Sequence, residues 1–313
     1  MSQTPVSIGI DIGGTKICAA AIQEGKIISD VISEKTPKTA EEILAVVLKS
    51  IENLNEKYNA SFVGIATAGA VNIENSKVAG STGNLPNGYS DIEFKKIIEE
   101  KFNLKTFVEN DANAAAYAEF KIGASKGHNN TIVITLGTGI GGGIIVDGKL
   151  LRGKSGAGAE VGHLQLSWEK KRKCTCGTWD CWESYASGTG YAINAQEMAK
   201  ELASFKTSYL KDKNPDELTT YDIIAGLPKD DEFSIAVHNR WEELVIMGLL
   251  GLTNIFDPES IVLSGGMAKF VNFEKVQNEI NKEIVVTPVQ ILHAQAGNYA
   301  GMLGAALLAV EKL

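Results

Sequence analysis

Three of the four cysteines in this chain, Cys174, Cys176 and Cys181, lie within eight residues of one another. Cysteine thiolates at such spacing are ligands for zinc, and a closed structural zinc site needs four ligands. His163 lies eleven residues before the first of these cysteines and is the predicted fourth ligand. The alternative, three small buried apolar residues, fits poorly because a basic run at residues 171–173 flanks the cluster. The spacing therefore predicts a Cys3His zinc loop.

Two glycine-rich turns form an internal repeat, because residues 6–16 are echoed by residues 131–141. In each copy an apolar strand precedes and follows the turn, and a second turn comes later, at residues 24–26 and at residues 147–149. Neither copy matches the P-loop or the G-x-G-x-x-G dinucleotide motif. One such turn alone is equally well explained as an ordinary β-turn. Two at equivalent positions predict a nucleotide between two similar domains, its phosphates bound by backbone N–H groups.

Asp111 lies at the junction between a predicted strand, ending near residue 110, and a predicted helix. Asp and Asn commonly cap the N-terminus of a helix, so a purely structural role is one interpretation. The other is catalytic, because ligands of α/β domains bind at the carboxyl ends of strands. A carboxylate there is kept ionised by the helix dipole and can accept a proton.

The elements that must position these residues alternate between strand and helix. A helix is predicted from a capping box at residues 39–42, with Ile43, Val47 and Ile51 at helical spacing, and a buried strand follows at residues 62–66. This alternation predicts an α/β fold. With 313 residues, of which 44% are hydrophobic, the chain exceeds one ordinary core, and two domains are expected.

The overall charge argues for a small neutral ligand. The formal net charge is −8 and the isoelectric point is about 5.2, so no basic footprint for nucleic acid or an anionic membrane exists. No signal peptide opens the sequence, and no apolar run reaches the ~20 residues that span a bilayer. We therefore expect a cytoplasmic protein whose thiols stay reduced and able to bind metal.

A set of motifs in order along nearly the whole chain resembles the ROK family of sugar kinases and sugar-responsive repressors. The motifs are residues 11–16, 110–111, 136–143, 160–163, 174–183 and 264–266. The resemblance implies an actin-like, ribonuclease-H-like ATPase fold, with two α/β domains around a cleft that closes over sugar and ATP. The implied domains are residues 1–112, to which a C-terminal helix at about 297–313 returns, and residues 113–296, which carry the zinc loop.

The resemblance also implies the roles of individual residues. Asp111 would be the general base that takes the proton from the primary hydroxyl of a hexose as it attacks the γ-phosphate of ATP. The implied ligands of the sugar are Asn84, Asn110, Asp111, Glu160, His163 and Glu183. The implied nucleotide contacts are Asp11, Gly13, Gly14, Thr15, Lys16, Thr138, Gly139, Gly265 and Gly266. Asp11 would be the partner of Mg²⁺, through water.

The zinc loop carries two further expectations. His163 is implied in both zinc and sugar binding, and both are possible because imidazole has two nitrogens. The zinc would then be structural, fixing the loop that carries Glu160, His163 and Glu183. Asp180 stands where the family motif usually has glycine, which puts the local turn in question. The fourth cysteine, Cys18, lies in an apolar run and is predicted to be a core residue.

Two questions about function stay open at this point. The repressors of the family carry an additional N-terminal DNA-binding domain, and the first strand near Val6 leaves no room for one, so we favour a kinase over a sugar-sensing regulator. Residues 109–116 and 181–188 are most similar to the glucose-phosphorylating branch, and kinases of N-acetylmannosamine, N-acetylglucosamine and fructose share the same skeleton. Members of the family are commonly dimeric, so we expect a homodimer.

Overall fold

The computed structural model describes residues 4–80 and 85–312. Asn84, one of the predicted sugar ligands, lies outside the described residues. The strands are β1 (Ser7–Ile12), β2 (Lys16–Gln23), β3 (Lys26–Ile27), β4 (Ile32–Lys35), β5 (Phe62–Thr67), β6 (Ala70–Val71), β7 (Val78–Gly80), β8 (Lys105–Asn110), β9 (Thr131–Leu136), β10 (Ile140–Val146), β11 (Lys149–Leu150), β12 (Ser260–Ser264) and β13 (Gln290–His293). The α-helices are α1 (Ala40–Tyr58), α2 (Phe94–Phe102), α3 (Asp111–Ile122), α4 (Glu183–Ala186), α5 (Gly188–Glu201), α6 (Thr220–Ile224), α7 (Glu232–Phe256), α8 (Phe273–Glu283) and α9 (Ala300–Lys312).

The chain forms two compact units. The first comprises Met1–Val133, Gly142–Ala159 and Ala294–Leu313, and the second comprises Ile134–Gly141 and Glu160–His293. This division differs from the predicted domain limit at residues 112/113, because α3 packs on α9 and stays with the first unit. The predicted limits of the functional domains stay a prediction.

The first sheet has the strand order β3-β2-β1-β5-β8, with β4 paired to the outer side of β2. β1 and β2 are antiparallel and form the first glycine-rich hairpin, whereas β1, β5 and β8 are parallel. The second turn, between β2 and β3, has positive φ angles of 52° at Glu24 and 73° at Gly25. Two consecutive residues with positive φ are what a two-residue hairpin requires to match the twist of its strands.

The second sheet repeats the first, with the order β11-β10-β9-β12-β13. Here too a glycine-rich turn joins the first two strands of the copy, β9 and β10, and a positive-φ pair at Asp147 and Gly148 precedes β11. Its last two strands, β12 and β13, are parallel, as are the equivalent strands β5 and β8. The internal repeat in the sequence is therefore a duplicated sheet, and the α/β prediction is confirmed.

The C-terminal helix α9 packs against β1, β5 and β8 in the first unit. Its approach is close enough that a Cβ atom on Gly64 would overlap the carbonyl of Ala305, and one on Gly9 would meet the carbonyl of Met302. The small residues of this helix therefore allow close packing against the first sheet. Cys18 is 3% exposed and packs with Met302 in the same layer, which confirms its predicted place in the core.

A buried carboxylate holds the segment that precedes α9. Glu119, on the last turn of α3, is 1% exposed, and its oxygens accept hydrogen bonds from the backbone N–H groups of Gln295, Ala296 and Ala124. The α3 helix thereby fixes the position at which the chain enters α9.

Two tryptophans anchor the two ends of α4 in the second unit. The Trp182 Nε1–H donates to the carbonyl oxygen of Leu244 at 2.7 Å, and its ring packs against Gly248, where a Cβ atom would overlap it. The Trp241 Nε1–H donates to the carbonyl oxygen of Ala186, also at 2.7 Å. The long helix α7 thus sets the position of Glu183. Among the helices of the described residues, none combines the length and apolar character needed to cross a membrane.

Candidate active site and metal loop

The first glycine-rich turn links β1 to β2 in the first unit. The Gly13 N–H donates to the carbonyl oxygen of Lys16 at 3.1 Å, which closes the turn. Thr36 holds it from outside, because its hydroxyl donates to the Gly13 carbonyl oxygen at 2.6 Å and its N–H donates to the Thr15 carbonyl oxygen. Gly14, Thr15 and Lys16 are exposed at the tip. The backbone of this tip is therefore preorganised and open to a ligand.

Asp11 precedes this turn and is in an environment that disfavours its charge. Burial raises the pKa of the Asp11 carboxyl, the negative charge of Asp111 raises it further, Lys16 lowers it, and the result is a pKa of about 7. A Cβ atom on Gly301 would lie 3.1 Å from Asp11 Oδ2, so the start of α9 is close to this carboxylate. A carboxylate whose pKa is raised by a neighbouring carboxylate lies in a place where a divalent cation would be stabilised.

Asp111 is the first residue of α3, and it does not cap the helix. The cap is Asn110, whose Oδ1 accepts hydrogen bonds from the N–H groups of Ala112 and Asn113 at 3.0 and 3.1 Å. The capping role considered for Asp111 is therefore filled by Asn110. The Asp111 side chain accepts from the Ala112 N–H at 2.9 Å, in the first turn of the helix where the dipole favours a negative charge.

Asn110 makes more hydrogen bonds within the protein than the sequence suggested. Besides its capping contacts, its Nδ2 donates to the Gly69 carbonyl oxygen at 3.1 Å. An amide nitrogen has two N–H donors. The bond to Gly69 uses one of them, and together with the capping contacts it holds the side chain in one orientation.

A buried ion pair beneath these residues was not predicted from the sequence. Glu109 is fully buried, and its Oε2 lies 2.9 Å from Nε of Arg152. Its carboxylate also accepts hydrogen bonds from the Asn110 N–H and from the side-chain amides of Asn75 and Asn113. Burial raises the pKa of Glu109, and the Arg152 guanidinium opposes this shift.

Arg152 connects Glu109 to a loop of the same unit. Its Nη atoms donate to the carbonyl oxygens of Asn72 and Ile73 at 2.9 and 3.0 Å. One feature of the sequence could have revealed this ion pair. Glu109 follows apolar Phe107 and Val108 in a predicted buried strand, and a buried charge requires a partner.

The second glycine-rich turn, between β9 and β10, is held by residues 183–189. The Ile140 N–H donates to Glu183 Oε2 at 2.8 Å, the Gly188 N–H donates to the Gly137 carbonyl oxygen at 2.7 Å, and the Thr189 hydroxyl donates to the Thr138 carbonyl oxygen at 2.8 Å. Thr138 is exposed at the tip. Hydrogen bonds from outside the turn therefore support it, as they support the first turn.

Gly265, a predicted nucleotide contact, lies beside the second turn. Its φ is 89°, and a Cβ atom would overlap the carbonyl of Leu136, so both conformation and space require glycine. The Met267 N–H donates to the Leu136 carbonyl oxygen at 2.9 Å. Gly266 is exposed next to it and has open space where a side chain would be. The structure thus brings Gly265 to the turn that contains Thr138 and Gly139.

The four predicted zinc ligands lie together in the second unit. One ligand atom from each of His163, Cys174, Cys176 and Cys181 lies within 4.8 Å of the other three. Cys176 Sγ and Cys181 Sγ are 3.7 Å apart, as are Cys174 Sγ and His163 Nδ1. Ligands ~2.3 Å from a tetrahedral zinc are ~3.8 Å apart, so the donor set and its spacing fit this metal. The Nδ1 atom of His163 faces the cluster.

Asp180 preserves the turn that glycine would form. Its φ is 55°, the left-handed conformation that glycine adopts readily, and its side chain is fully buried. The Oδ1 atom accepts hydrogen bonds from the Arg172 N–H at 2.8 Å, the Lys171 N–H at 3.0 Å and the Tyr185 hydroxyl at 2.7 Å. These bonds, that from Arg172 foremost, lower the pKa of Asp180. The departure from the family motif therefore adds an anchor for residues 174–181, which carry the three predicted cysteine ligands and are called the metal loop below.

Glu160 and His163 flank a short helical turn of the same unit, and both are exposed. Gly162, between them, approaches the second glycine-rich turn so closely that a Cβ atom would overlap the Ile140 carbonyl. The predicted site residues therefore form two groups. Asp11, residues 13–16, Asn110 and Asp111 belong to the first unit, and all the other described ones belong to the second.

Comparison with known proteins identifies the class of the fold and then the family. The chain aligns with a crystal structure of a ROK family glucokinase from Streptomyces griseus in complex with glucose and AMPPNP, with a TM-score of 0.76, 34% identity and coverage of 98% of this chain and 99% of the other. The duplicated sheets accordingly form the actin-like, ribonuclease-H-like fold of these kinases, as predicted. The sequence profile of the ROK family matches residues 7–312. The chain belongs to the ROK family.

Two curated relatives show the range of functions within this family. A glucokinase from Streptomyces coelicolor is 35% identical over 316 aligned positions, which cover 98% of each chain. A xylose repressor from Bacillus spizizenii is 31% identical over 319 positions, covering 97% of this chain and 77% of the repressor. Family membership alone thus allows both catalysis and regulation.

Proposed function

We propose that this protein is an ATP-dependent sugar kinase that phosphorylates the 6-hydroxyl of a hexose, and that the hexose is D-glucose. The similarity to glucokinases over the full length of the chain supports the sugar. The observation that carries a catalytic role is the position of Asp111 at the start of α3, where Asn110 and not Asp111 caps the helix. Because Asn110 is the cap, capping does not account for the carboxylate of Asp111, which supports the catalytic interpretation.

Asp111 is the proposed general base. Its carboxylate accepts the proton of the 6-hydroxyl while the sugar oxygen forms a bond to the γ-phosphorus, and the bond from that phosphorus to the bridging oxygen of ADP breaks. The first turn of α3 favours the ionised form of this side chain. Asn110, held by its capping contacts, would donate its second amide hydrogen to a sugar hydroxyl.

The remaining sugar contacts are proposed for Asn84, Glu160, His163 and Glu183. A neutral polyol needs both donors and acceptors, and a wrong sugar would leave some of them unpaired. His163 faces the metal cluster with Nδ1, so its Nε2 is the nitrogen proposed to meet a hydroxyl.

The phosphates of ATP would be bound by the exposed tips of the two glycine-rich turns, Gly13 to Lys16 and Thr138 to Gly139, with Gly265 and Gly266 beside the adenosine. Mg²⁺ would be held through water near Asp11, whose oxygen donors fit this ion and whose raised pKa it would lower. The zinc would be structural. We place the protein in the cytoplasm, where ATP is available and thiols are reduced, and the homodimer stays a prediction.

A coupled assay of ADP release with Mg-ATP tests this function on glucose, fructose, N-acetylglucosamine and N-acetylmannosamine. Glucose should give the highest kcat/KM, and Asp111→Asn should lower kcat by about 10²–10⁴-fold. Asp216→Asn, the same chemical change at an exposed position, is the matched control. Higher kcat/KM with an N-acetylhexosamine would replace glucose and leave the mechanism intact.

The xylose repressor among the relatives makes a sugar-sensing regulator the second candidate. It predicts sugar binding without phosphoryl transfer, and binding to a specific DNA sequence that the sugar releases. Calorimetry with glucose, together with an absence of ADP release from every sugar tested, would favour this function over a kinase.

A further inference from the structure

The carboxylate of Glu183 contacts both the metal loop and the second glycine-rich turn. Its Oε2 accepts the hydrogen bond from the Ile140 N–H at 2.8 Å. Its Oε1 accepts one from the hydroxyl of Thr175 at 3.3 Å and lies 3.9 Å from Sγ of Cys174. Thr175 stands between two of the predicted zinc ligands. One side chain therefore links two segments that are far apart in the sequence.

The turn is shaped around this carboxylate. A Cβ atom on Gly139 would overlap Glu183 Oε2, so glycine at this position makes room for the side chain of Glu183. Gly162, next to the predicted zinc ligand His163, packs against the carbonyl of Ile140 in the same way. The backbone of Ile140 thus donates its N–H to Glu183 and has its carbonyl oxygen packed against Gly162.

The backbone of Glu183 is itself fixed. Trp182, fully buried against α7, precedes it, and Gly188 and Thr189 beyond it bind the carbonyl oxygens of Gly137 and Thr138. A displacement of the Glu183 side chain therefore moves the turn and not the helix behind it. The metal loop is the partner of this carboxylate on its other side.

We propose that Glu183 is a positioning residue that couples the metal loop to the nucleotide-binding turn, so that zinc in the Cys3His cluster strengthens ATP binding. The inference rests on the proposed function, because it takes the turn at Thr138 and Gly139 as a phosphate-binding element. Coupling of this kind is reciprocal, so bound nucleotide also strengthens retention of zinc. The role is additional to the sugar contact proposed for the same residue.

The first test needs neither nucleotide nor sugar. Amide hydrogen exchange of the full-length protein is measured at Ile140, with zinc bound and after removal of zinc by a chelator. Exchange at this amide should accelerate by about tenfold or more on removal of zinc, and Glu183→Ala should show the fast rate in both states. Equal protection of Ile140 in the zinc-bound, zinc-free and variant proteins would overturn the proposal.

The second test measures the Kd of Mg-AMPPNP by calorimetry without sugar, which removes any effect of a sugar contact. The wild type should bind about tenfold more weakly without zinc, and Glu183→Ala should be as weak in both states. Thr175→Val, which removes one hydroxyl and leaves every predicted zinc ligand in place, should reproduce part of this loss while zinc content stays the same. A Kd that is the same in wild type and Glu183→Ala would refute the coupling.

A double substitution isolates the contact between the turn and the carboxylate. Gly139→Ala should weaken AMPPNP binding in the wild-type background by displacing Glu183, and it should have little further effect in Glu183→Ala. Additive effects of the two substitutions would contradict the proposal. If the wild type bound no AMPPNP, the proposed kinase function would fail, whereas the exchange rate of Ile140 would still decide whether the metal loop controls the turn.

Discussion

Glu109, in the strand that ends one residue before the proposed catalytic base, forms an ion pair with Arg152 in which Oε2 and Nε are 2.9 Å apart. The carboxylate is fully buried and the guanidinium also binds two carbonyl oxygens of another loop. Arg152 therefore connects Glu109 in β8 to the loop at Asn72 and Ile73. A buried charge of this kind is tolerated only while its partner is present.

Arg152→Met should lower the free energy of unfolding by about 3 kcal/mol at pH 8, because it leaves Glu109 buried and unpaired. The pKa of Glu109 in the folded protein is already raised, and removal of Arg152 would raise it further. A carboxyl with a raised folded pKa loses stability as pH increases, so the loss should be smaller at pH 5 than at pH 8. Urea denaturation at both pH values measures this difference.

The matched control for this ion pair is Arg152→Lys, which keeps a positive charge and loses the bonds to the two carbonyl oxygens. Arg152→Lys should lower the free energy of unfolding by less than Arg152→Met does at pH 8. A second substitution, Glu109→Gln, should restore part of the stability lost in Arg152→Met. Equal losses for the methionine and lysine variants would show that the bonds to the loop matter more than the charge.

Asp11→Asn should stabilise the protein without ligand, by on the order of 2 kcal/mol at pH 8 and by almost nothing at pH 4. The pKa of Asp11 is about 7 in the folded state against an ordinary value of 3.8, so folding takes up a proton between these values. The free energy of unfolding of the wild type therefore falls as pH rises from about 4 to about 7. Chemical denaturation across this range, without Mg²⁺ or nucleotide, measures the effect.

A control for the Asp11 prediction uses the second cause of its pKa shift. Asp111→Asn removes the neighbouring negative charge and should lower the pKa of Asp11, as measured by NMR titration of the carboxyl carbon. A pH-independent gain in stability from Asp11→Asn would contradict the assigned ionisation. The proposed Mg²⁺ contact would be lost in the same variant, so stability and activity should change in opposite directions.

Asp180→Gly should loosen the segment that precedes the cysteines. Glycine accepts the left-handed φ of 55°, so the turn survives, but the hydrogen bonds from Lys171, Arg172 and Tyr185 are lost. Limited proteolysis by trypsin should cleave the basic run at residues 170–173 several-fold faster than in the wild type. Asp180→Asn keeps the Oδ1 acceptor and should be cleaved at a rate between those of the wild type and Asp180→Gly. Unchanged cleavage in both variants would show that the anchor is not needed.

Cys176→Ser should remove zinc from the protein, because Cys176 is one of the four residues whose ligand atoms cluster within 4.8 Å. Metal content should fall from one zinc per chain to near none, and the melting temperature should fall by more than about 5 °C. Cys18→Ser is the matched control, since Cys18 lies in the core of the first unit, and it should keep its zinc. A full complement of zinc in Cys176→Ser would refute the ligand set.

Features that depend on residues close together in the chain could be predicted from the sequence. Three cysteines in one short loop predicted a zinc site. Two glycine-rich hairpins, each followed by the same later turn, indicated a duplicated sheet. Such features are set by local spacing and by the backbone conformations that glycine permits. The family resemblance followed from the order of these motifs.

The pairing of polar side chains far apart in the sequence, by contrast, depends on the tertiary structure. Whether Asn110 or Asp111 capped α3 depended on backbone angles at one junction, and the partner of Glu109 depended on where the loop of Arg152 passes. The contact from Glu183 to Ile140 likewise required α4 to be anchored on α7. Hydrogen bonds and ion pairs need atoms within a few ångströms in a defined direction, and residue spacing in a sequence does not specify that geometry.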